Sequence, residues 1–261
     1  MQPVIRAFVL VVCLMVPAFA LAQAAPPSLD CPDMARAVKD LLYQDGRMRD
    51  WPQLARYRAA DAALVASGAQ VDVVFFGDSI TDGWDAEQFP TWFPGRHYIN
   101  RGIGGQTTAQ MLIRLRPDVL SLKPKVIVLL AGTNDIAGNT GPTTNDDIAQ
   151  NVAAISELAA ASGVKMVLAS VLPISSYHTK PDDKPQTIRR PMTRITALND
   201  WIKSYAAEHG HVYLDYFSAM TDPSGLLRSE LSADDLHPNQ DGYKIMAPLA
   251  EAAIGKARNT K

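Results

Sequence analysis

The sequence has little cysteine, no excess of positive charge and no long apolar run after its first 22 residues. Two cysteines in 261 residues are too few for a disulfide framework, so the fold must rest on its core. A formal net charge of -2 gives no sign of the basic stripe that nucleic-acid binding needs. With 47% hydrophobic and 20% charged side chains, the chain has the composition of a globular domain and not of a disordered one.

Two common motifs are also absent. The sequence contains no Gly-x-Ser-x-Gly, the nucleophile turn of α/β-hydrolases. The glycine-rich "GIGGQT", residues 102–107, lacks the third glycine of the dinucleotide fingerprint, and no phosphate loop ending in Lys-Ser/Thr is present. A nucleotide-binding function is therefore disfavoured.

Residues 1–22 have the order of a secretory signal peptide. Arg6 precedes an uncharged apolar run, Ala7 to Ala22, which ends in small residues. The run is shorter than the roughly 20 residues of a membrane-spanning helix, so cleavage is favoured over a membrane anchor. We expect an exported protein, periplasmic or secreted. Cys13 leaves with this segment, and Cys31 alone can form no internal disulfide.

From Val71 onward, short β-branched runs alternate with longer amphipathic stretches. The runs are "VDVVFF", "HYIN", "VIVLLA", "VKMVLAS" and "HVYLDY". This alternation predicts parallel strands joined by crossover helices, with the loops at the carboxyl ends gathered along one edge. We expect residues 23–70 to form a linker and an N-terminal helical cap, and residues 71–256 to form one α/β domain.

Several residues able to carry chemistry fall at the predicted edge. Ser79 follows the first strand, and a serine hydroxyl becomes a nucleophile only beside a base that an acceptor orients. His237 is the best candidate base, because Asp234 lies three positions before it in one loop. The alternatives are a helix cap for Ser79, a loop histidine for His237 and a local backbone contact for Asp234.

Acyl transfer also needs donors for the oxygen that gains negative charge. The sequence offers the backbone amide of Ser79, a second amide at Gly105 and the carboxamide of Asn134. The alternatives are a flexible turn for the glycines and a local loop contact for Asn134. For Asp135, which follows Asn134, the alternative to a role in the site is a helix or loop cap.

Four blocks carry a resemblance to a known family. "GDSIT", "NRGIGGQTT", "GTND" and "DDLHPN" occur in the order and at the separations of the SGNH, or GDSL-type, hydrolase superfamily. The resemblance covers about Val71 to Ile254. Within the superfamily, the blocks are most similar to the catalytic subunits of platelet-activating-factor acetylhydrolase and their bacterial relatives. Ile80 replaces the leucine of the GDSL name, which is a conservative change.

The resemblance implies a three-layer α/β/α fold with a flavodoxin-like, doubly wound, parallel five-stranded sheet. It implies Ser79 as nucleophile, His237 as base and Asp234 as its orienting acid, with an oxyanion hole of Ser79, Gly105 and Asn134. It also implies hydrolysis of short-chain acyl esters, acetyl first, of a carbohydrate, lipid or small alcohol, without a metal or organic cofactor. The alternatives are a lysophospholipase or thioesterase and a non-catalytic carbohydrate-binding protein on the same fold.

The sequence gives less information about which residues contact the substrate. We expect Asp78 and Trp84 to touch substrate, since both flank the predicted nucleophile. Aromatic residues at this density are more often core, which is the alternative for Trp84, Phe89, Trp92 and Phe93. A metal site built from Asp78, Asp82, Asp135 and His237 is disfavoured because no usual ligand spacing is present.

A long polar loop, "PISSYHTKPDDKPQTIRR", runs from Pro173 to Arg190 beside the predicted edge. It matches no specificity implied by the resemblance.

Overall fold

The computed structural model describes residues 34–39, 41, 49–84 and 89–259. The chain divides into two compact units, residues 1–44 and 45–261, and the described residues of the first unit are helical. The predicted signal peptide lies outside the described residues and stays a prediction, which the intact mass of the exported chain would check.

Five parallel strands form the sheet in the second unit. They are β1 (Val73–Gly77), β2 (Tyr98–Gly102), β3 (Val126–Leu130), β4 (Lys165–Ala169) and β5 (Val212–Leu214). Their order across the sheet is β2-β1-β3-β4-β5, with every neighbouring pair parallel. This is the flavodoxin order, in which the chain reverses direction across the sheet between β1 and β3. The predicted doubly wound parallel sheet is confirmed.

Helices connect and flank the strands. In chain order they are α1 (Ala55–Ser67), α2 (Ser79–Asp82), α3 (Phe89–Trp92), α4 (Thr108–Asp118), α5 (Thr133–Ile136), α6 (Asn145–Ala161), α7 (Gln186–Arg189), α8 (Met192–Glu208), α9 (Tyr216–Met220) and α10 (Gln240–Asn259). Two long helices begin with capping boxes, Thr107 with Gln110 and Thr144 with Asp147, which satisfy free amides of the first turn. The local sequence therefore sets where α4 and α6 begin.

Alternating side chains of the central strands feed two separate apolar cores. Val74 and Phe76 of β1 point into a core that α4, α6 and α8 cover, whereas Val73 and Phe75 point into a core that α10 covers. All five residues of β1 and of β3 are buried, as expected for strands covered on both faces. The result is the predicted three-layer arrangement, with the carboxyl ends of the strands along one edge.

Helix α1 belongs to the same compact unit as the sheet. Arg101 of β2 donates from Nε to Asp61 Oδ1 at 2.9 Å, and the Tyr57 hydroxyl donates to the Gly102 carbonyl. Asp61 and Arg101 are both buried. These polar contacts tie α1 to the edge strand β2 within the unit of residues 45–261, and the predicted domain boundary at residue 71 stays a prediction.

Candidate active site

Ser79 stands at the carboxyl end of β1, where strand changes to helix. A Cβ at Gly77 would lie 2.1 Å from Thr81 Oγ1 and 2.7 Å from the Leu130 carbonyl oxygen, so only glycine fits this turn. Asp78 caps α2 by accepting a hydrogen bond from the Ile80 amide at 2.9 Å. Ser79 is the first residue of the helix, and its hydroxyl lies at the sheet edge.

The fold brings the predicted nucleophile, base and acid together. Ser79 Oγ lies 2.9 Å from His237 Nε2, and His237 Nδ1 lies 2.6 Å from Asp234 Oδ2. The backbone amide of His237 also donates to Asp234 Oδ1 at 2.8 Å. With Nδ1–H donating to the carboxylate, Nε2 is left to accept the serine proton, which is the arrangement of an acyl-transfer triad.

Asp234 is held in its ionised form. Its partial burial favours the neutral acid, but the hydrogen bonds from the His237 ring and backbone and from the Leu236 amide outweigh that effect and lower its pKa. The His237 side chain is 39% exposed, so the pair is open to solvent and to substrate. Asp234 therefore orients the imidazole and stabilises a positive charge on it.

The predicted oxyanion donors lie at the same edge. Gly105 has a φ of +77°, a left-handed conformation that favours glycine. A Cβ at Gly104 would lie 3.9 Å from Ser79 Cβ, so the glycine loop runs beside the nucleophile. Asn134, at the start of α5, donates from Nδ2 to the Gln106 carbonyl at 3.1 Å, which joins it to that loop.

Two residues that the sequence did not predict as part of the site hold Asn134 in place. Asn139 Nδ2 donates to Asn134 Oδ1 at 3.1 Å and to the Gly105 carbonyl at 3.0 Å. Arg190 Nη2 donates to the same Oδ1 at 3.3 Å. No motif marks either residue, since Asn139 follows the "GTND" block and Arg190 ends a polar loop whose charges look solvated.

Asp135 is a structural residue. Both of its oxygens accept from the Thr108 amide at 3.0 Å, and Oδ1 also accepts from the Thr108 hydroxyl at 2.6 Å. It is buried, and its carboxylate thus caps α4 from across the edge. The cap that the sequence offered as the alternative for Asp135 is what the structure shows.

The prediction that Asp78 and Trp84 contact substrate is wrong. Asp78 is fully buried beneath the start of α2. Trp84 is 2% exposed, and its ring packs 5.2 Å from those of Phe75 and Tyr243. Phe89 also packs against this group. These side chains fill the core under the sheet because burial of aromatic surface outweighs any gain from exposing it at a groove.

Burial of Asp78 predicts a pH-dependent effect of Asp78→Asn. Desolvation raises the pKa of Asp78 to about 6, although the Ile80 amide and His237 act in the opposite direction. The folded state therefore binds the proton more tightly than the unfolded state, so ionisation destabilises the fold above about pH 6 and costs nothing below the ordinary pKa of 3.8. We expect the stability of the variant relative to wild type to rise by about 2 kcal/mol between pH 4 and pH 8.

Urea unfolding of both proteins across this pH range measures the difference. Asp182→Asn, at an exposed position in the polar loop, controls for loss of one charge. A constant difference, or one that falls as pH rises, contradicts the assignment.

The long polar loop is fastened to the turn that carries Asp234 and His237. Asp235, with a φ of +67°, accepts from the Ser175 hydroxyl at 2.6 Å and from the His178 amide at 2.9 Å. The His178 ring lies 3.1 Å from the same carboxylate. One turn therefore carries two residues of the triad, Asp234 and His237, and the anchor of the loop.

Within the described ranges, no three His, Cys, Asp or Glu side chains cluster in a way that would hold a metal ion. No helix in those ranges combines the length and the apolar character needed to cross a bilayer.

Comparisons with known proteins converge on one family. A profile of the GDSL-like Lipase/Acylhydrolase family matches residues 75–245. The platelet-activating factor acetylhydrolase IB subunit alpha2 of Rattus norvegicus is 30% identical over 188 residues, which are 69% of this chain and 75% of that protein.

Two solved structures share the fold with a TM-score of 0.70 and 37% identity each. One is a putative acylhydrolase from Bacteroides fragilis, which matches over 79% of this chain and 97% of its own. The other is a GDSL-like lipase from Bacteroides thetaiotaomicron, with 79% and 98%.

Proposed function

The chain belongs to the GDSL-like lipase/acylhydrolase family and is an ester hydrolase, and from this premise we propose that it cleaves short-chain acyl esters through an acyl-enzyme on Ser79. The observation that carries the proposal is the 2.9 Å contact between Ser79 Oγ and His237 Nε2, with Asp234 on the other ring nitrogen. The superfamily named by the four sequence blocks is confirmed. A non-catalytic protein would have no need of this contact.

The reaction proceeds in two steps. Ser79 Oγ bonds to the acyl carbon while His237 Nε2 takes the hydroxyl proton, and the carbonyl oxygen becomes negative. The bond from the acyl carbon to the alcohol oxygen then breaks, and the imidazolium returns the proton to the departing alcohol. Water repeats the sequence on the acyl-enzyme, which releases the acid and restores the serine.

The negative oxygen needs donors that are already in position. We assign this role to the backbone amides of Ser79 and Gly105 and to the Asn134 carboxamide. Asn134 Nδ2 donates one hydrogen to the Gln106 carbonyl, and its second hydrogen can donate to the substrate oxygen. Ser79 lies in α2 and Asn134 in α5, and Asn139 bonds both Asn134 and the Gly105 carbonyl, so the donors are in position before charge develops.

One observation supports a short acyl group, acetyl first. The relative from rat is named an acetylhydrolase. The alcohol is a carbohydrate, a lipid or a small alcohol.

Rates on a series of esters test this assignment. We expect kcat/KM to be on the order of tenfold or more higher for p-nitrophenyl acetate than for the octanoate, because a site that fits acetyl discriminates against added methylenes by at least this factor. Acetylated xylan fragments, a lysophospholipid and an acyl thioester are measured in parallel. A rate that rises with chain length, or a preference for the lysophospholipid or the thioester, supports those alternatives and overturns the acetylesterase assignment.

A further inference from the structure

Arg190 is a buried cation at the active-site edge. It ends the loop that begins at Pro173 and is only 2% exposed. Its Nε donates to the Thr133 carbonyl at 3.1 Å and to the Thr133 hydroxyl at 3.0 Å, while Nη1 donates to Gln186 Oε1. Nη2 is thereby aimed at Asn134 Oδ1, 3.3 Å away. Four directional contacts fix the guanidinium against the start of α5.

These contacts decide which way the Asn134 amide faces. Oδ1 accepts from both Arg190 and Asn139, and Nδ2 donates to the Gln106 carbonyl. A flipped amide would set its NH₂ against two donors and its oxygen against a carbonyl, which loses every one of these hydrogen bonds. The amide is therefore held with its nitrogen toward the glycine loop.

The guanidinium also places a positive charge beside the amide oxygen. Burial lowers the pKa of Arg190 to about 10, while Asp78 and Asp234 favour the charged form, so the group remains a cation at neutral pH. No carboxylate in the described ranges forms an ion pair with it. A cation at the oxygen draws electron density from the amide and strengthens its N–H as a donor.

We propose that Arg190 is a positioning residue for catalysis, which orients and polarises the Asn134 carboxamide so that its free N–H meets the oxyanion. The proposal rests on the proposed function and extends it to a residue on the polar loop. Arg190 acts through Asn134 and does not touch the substrate. Its effect must therefore disappear when the carboxamide is removed.

A double-mutant cycle tests this dependence. Arg190→Met is measured on p-nitrophenyl acetate in the wild-type and in the Asn134→Ala background. In wild type we expect kcat to fall about 10- to 100-fold with KM within about twofold, since loss of one oxyanion donor costs on the order of 10² to 10³ in kcat. In the Asn134→Ala background the same change lowers kcat by less than about threefold.

Arg189→Met is the matched control, because Arg189 is the residue before Arg190, carries the same charge and has an exposed side chain. We expect its kcat to stay within about twofold of wild type. Thermal unfolding establishes that each variant is folded. Arg190→Gln, which keeps a side-chain donor, is carried through the same cycle and decides the question if Arg190→Met does not fold.

Equal losses of kcat in both backgrounds overturn the proposal, since they mean that Arg190 acts on the oxyanion directly or only on the fold. An effect confined to KM, or none at all, also overturns it. Failure of the proposed function gives a different result, because Ser79→Ala would then keep its activity. A dead Ser79→Ala variant together with an additive cycle refutes only the role of Arg190.

Discussion

Ser79→Ala is expected to lower kcat on p-nitrophenyl acetate by a factor on the order of 10⁴ or more. The imidazole of His237 lies 2.9 Å from the hydroxyl that this change removes, so no acyl-enzyme can form. The residual rate comes from the oxyanion donors and from binding alone. Stopped assays, with labelling of the protein by a fluorophosphonate, measure both the rate and the reactive group.

The variant should fold as wild type does, because a methyl group at the first residue of α2 removes no core contact. Ser121→Ala, at an exposed serine whose hydroxyl donates to the Arg116 carbonyl, is the matched control and should keep full activity and labelling. Turnover or labelling that survives in Ser79→Ala would refute the assignment of the nucleophile.

Gly102→Ala is expected to damage stability and activity together. A Cβ at Gly102 would lie 2.1 Å from the Asp82 amide nitrogen and 2.6 Å from the Thr81 carbonyl carbon, and both are backbone atoms of α2. The added methyl must push α2 away from β2. We expect a loss of about 3 kcal/mol, seen as a fall in Tm of about 6 to 12 °C. Because α2 carries Ser79, kcat should fall by about 10- to 100-fold.

Gly255→Ala provides the comparison for this change. Gly255 lies within α10, is exposed, and has no atom within 4 Å of the position of an added Cβ. Alanine there should raise stability by up to about 1 kcal/mol through its higher helix propensity and leave kcat unchanged. Calorimetry and esterase assays of the two variants separate crowding from the general effect of replacing a glycine. A Gly102→Ala protein with unaltered Tm would contradict the close approach of α2 to β2.

Much of the fold could be predicted because it depends on local pattern. Continuous β-branched runs mark buried parallel strands, and parallel strands put their following loops at one edge. The meeting of Ser79 with His237, 158 positions later, follows from that geometry once both are placed in edge loops. The start of the last helix is also local, since Asn239 Oδ1 accepts from the amides of Asp241 and Gly242.

What the sequence concealed depends on packing between distant segments. Trp84 follows the nucleophile closely in the sequence, but its ring packs against Phe75 and Tyr243 in the core. A break at Arg190 and Pro191 separates α7 from α8, because Pro191 disfavours helical backbone at the residue before it. That break leaves Arg190 in a non-helical backbone conformation from which it reaches Asn134. The periodicity of the sequence does not predict this contact.

Because Asp235 anchors the polar loop, the exposed part of the loop is structurally separate from the residues of the triad. Ser175 and His178 bind Asp235 at one end of the loop, and Arg190 binds Thr133 at the other. The exposed stretch between them, residues 180–184, can be exchanged for a segment grafted from a relative while both attachments persist. Substitutions in residues 180–184 can therefore alter the exposed part of the loop without replacing a triad residue or Arg190.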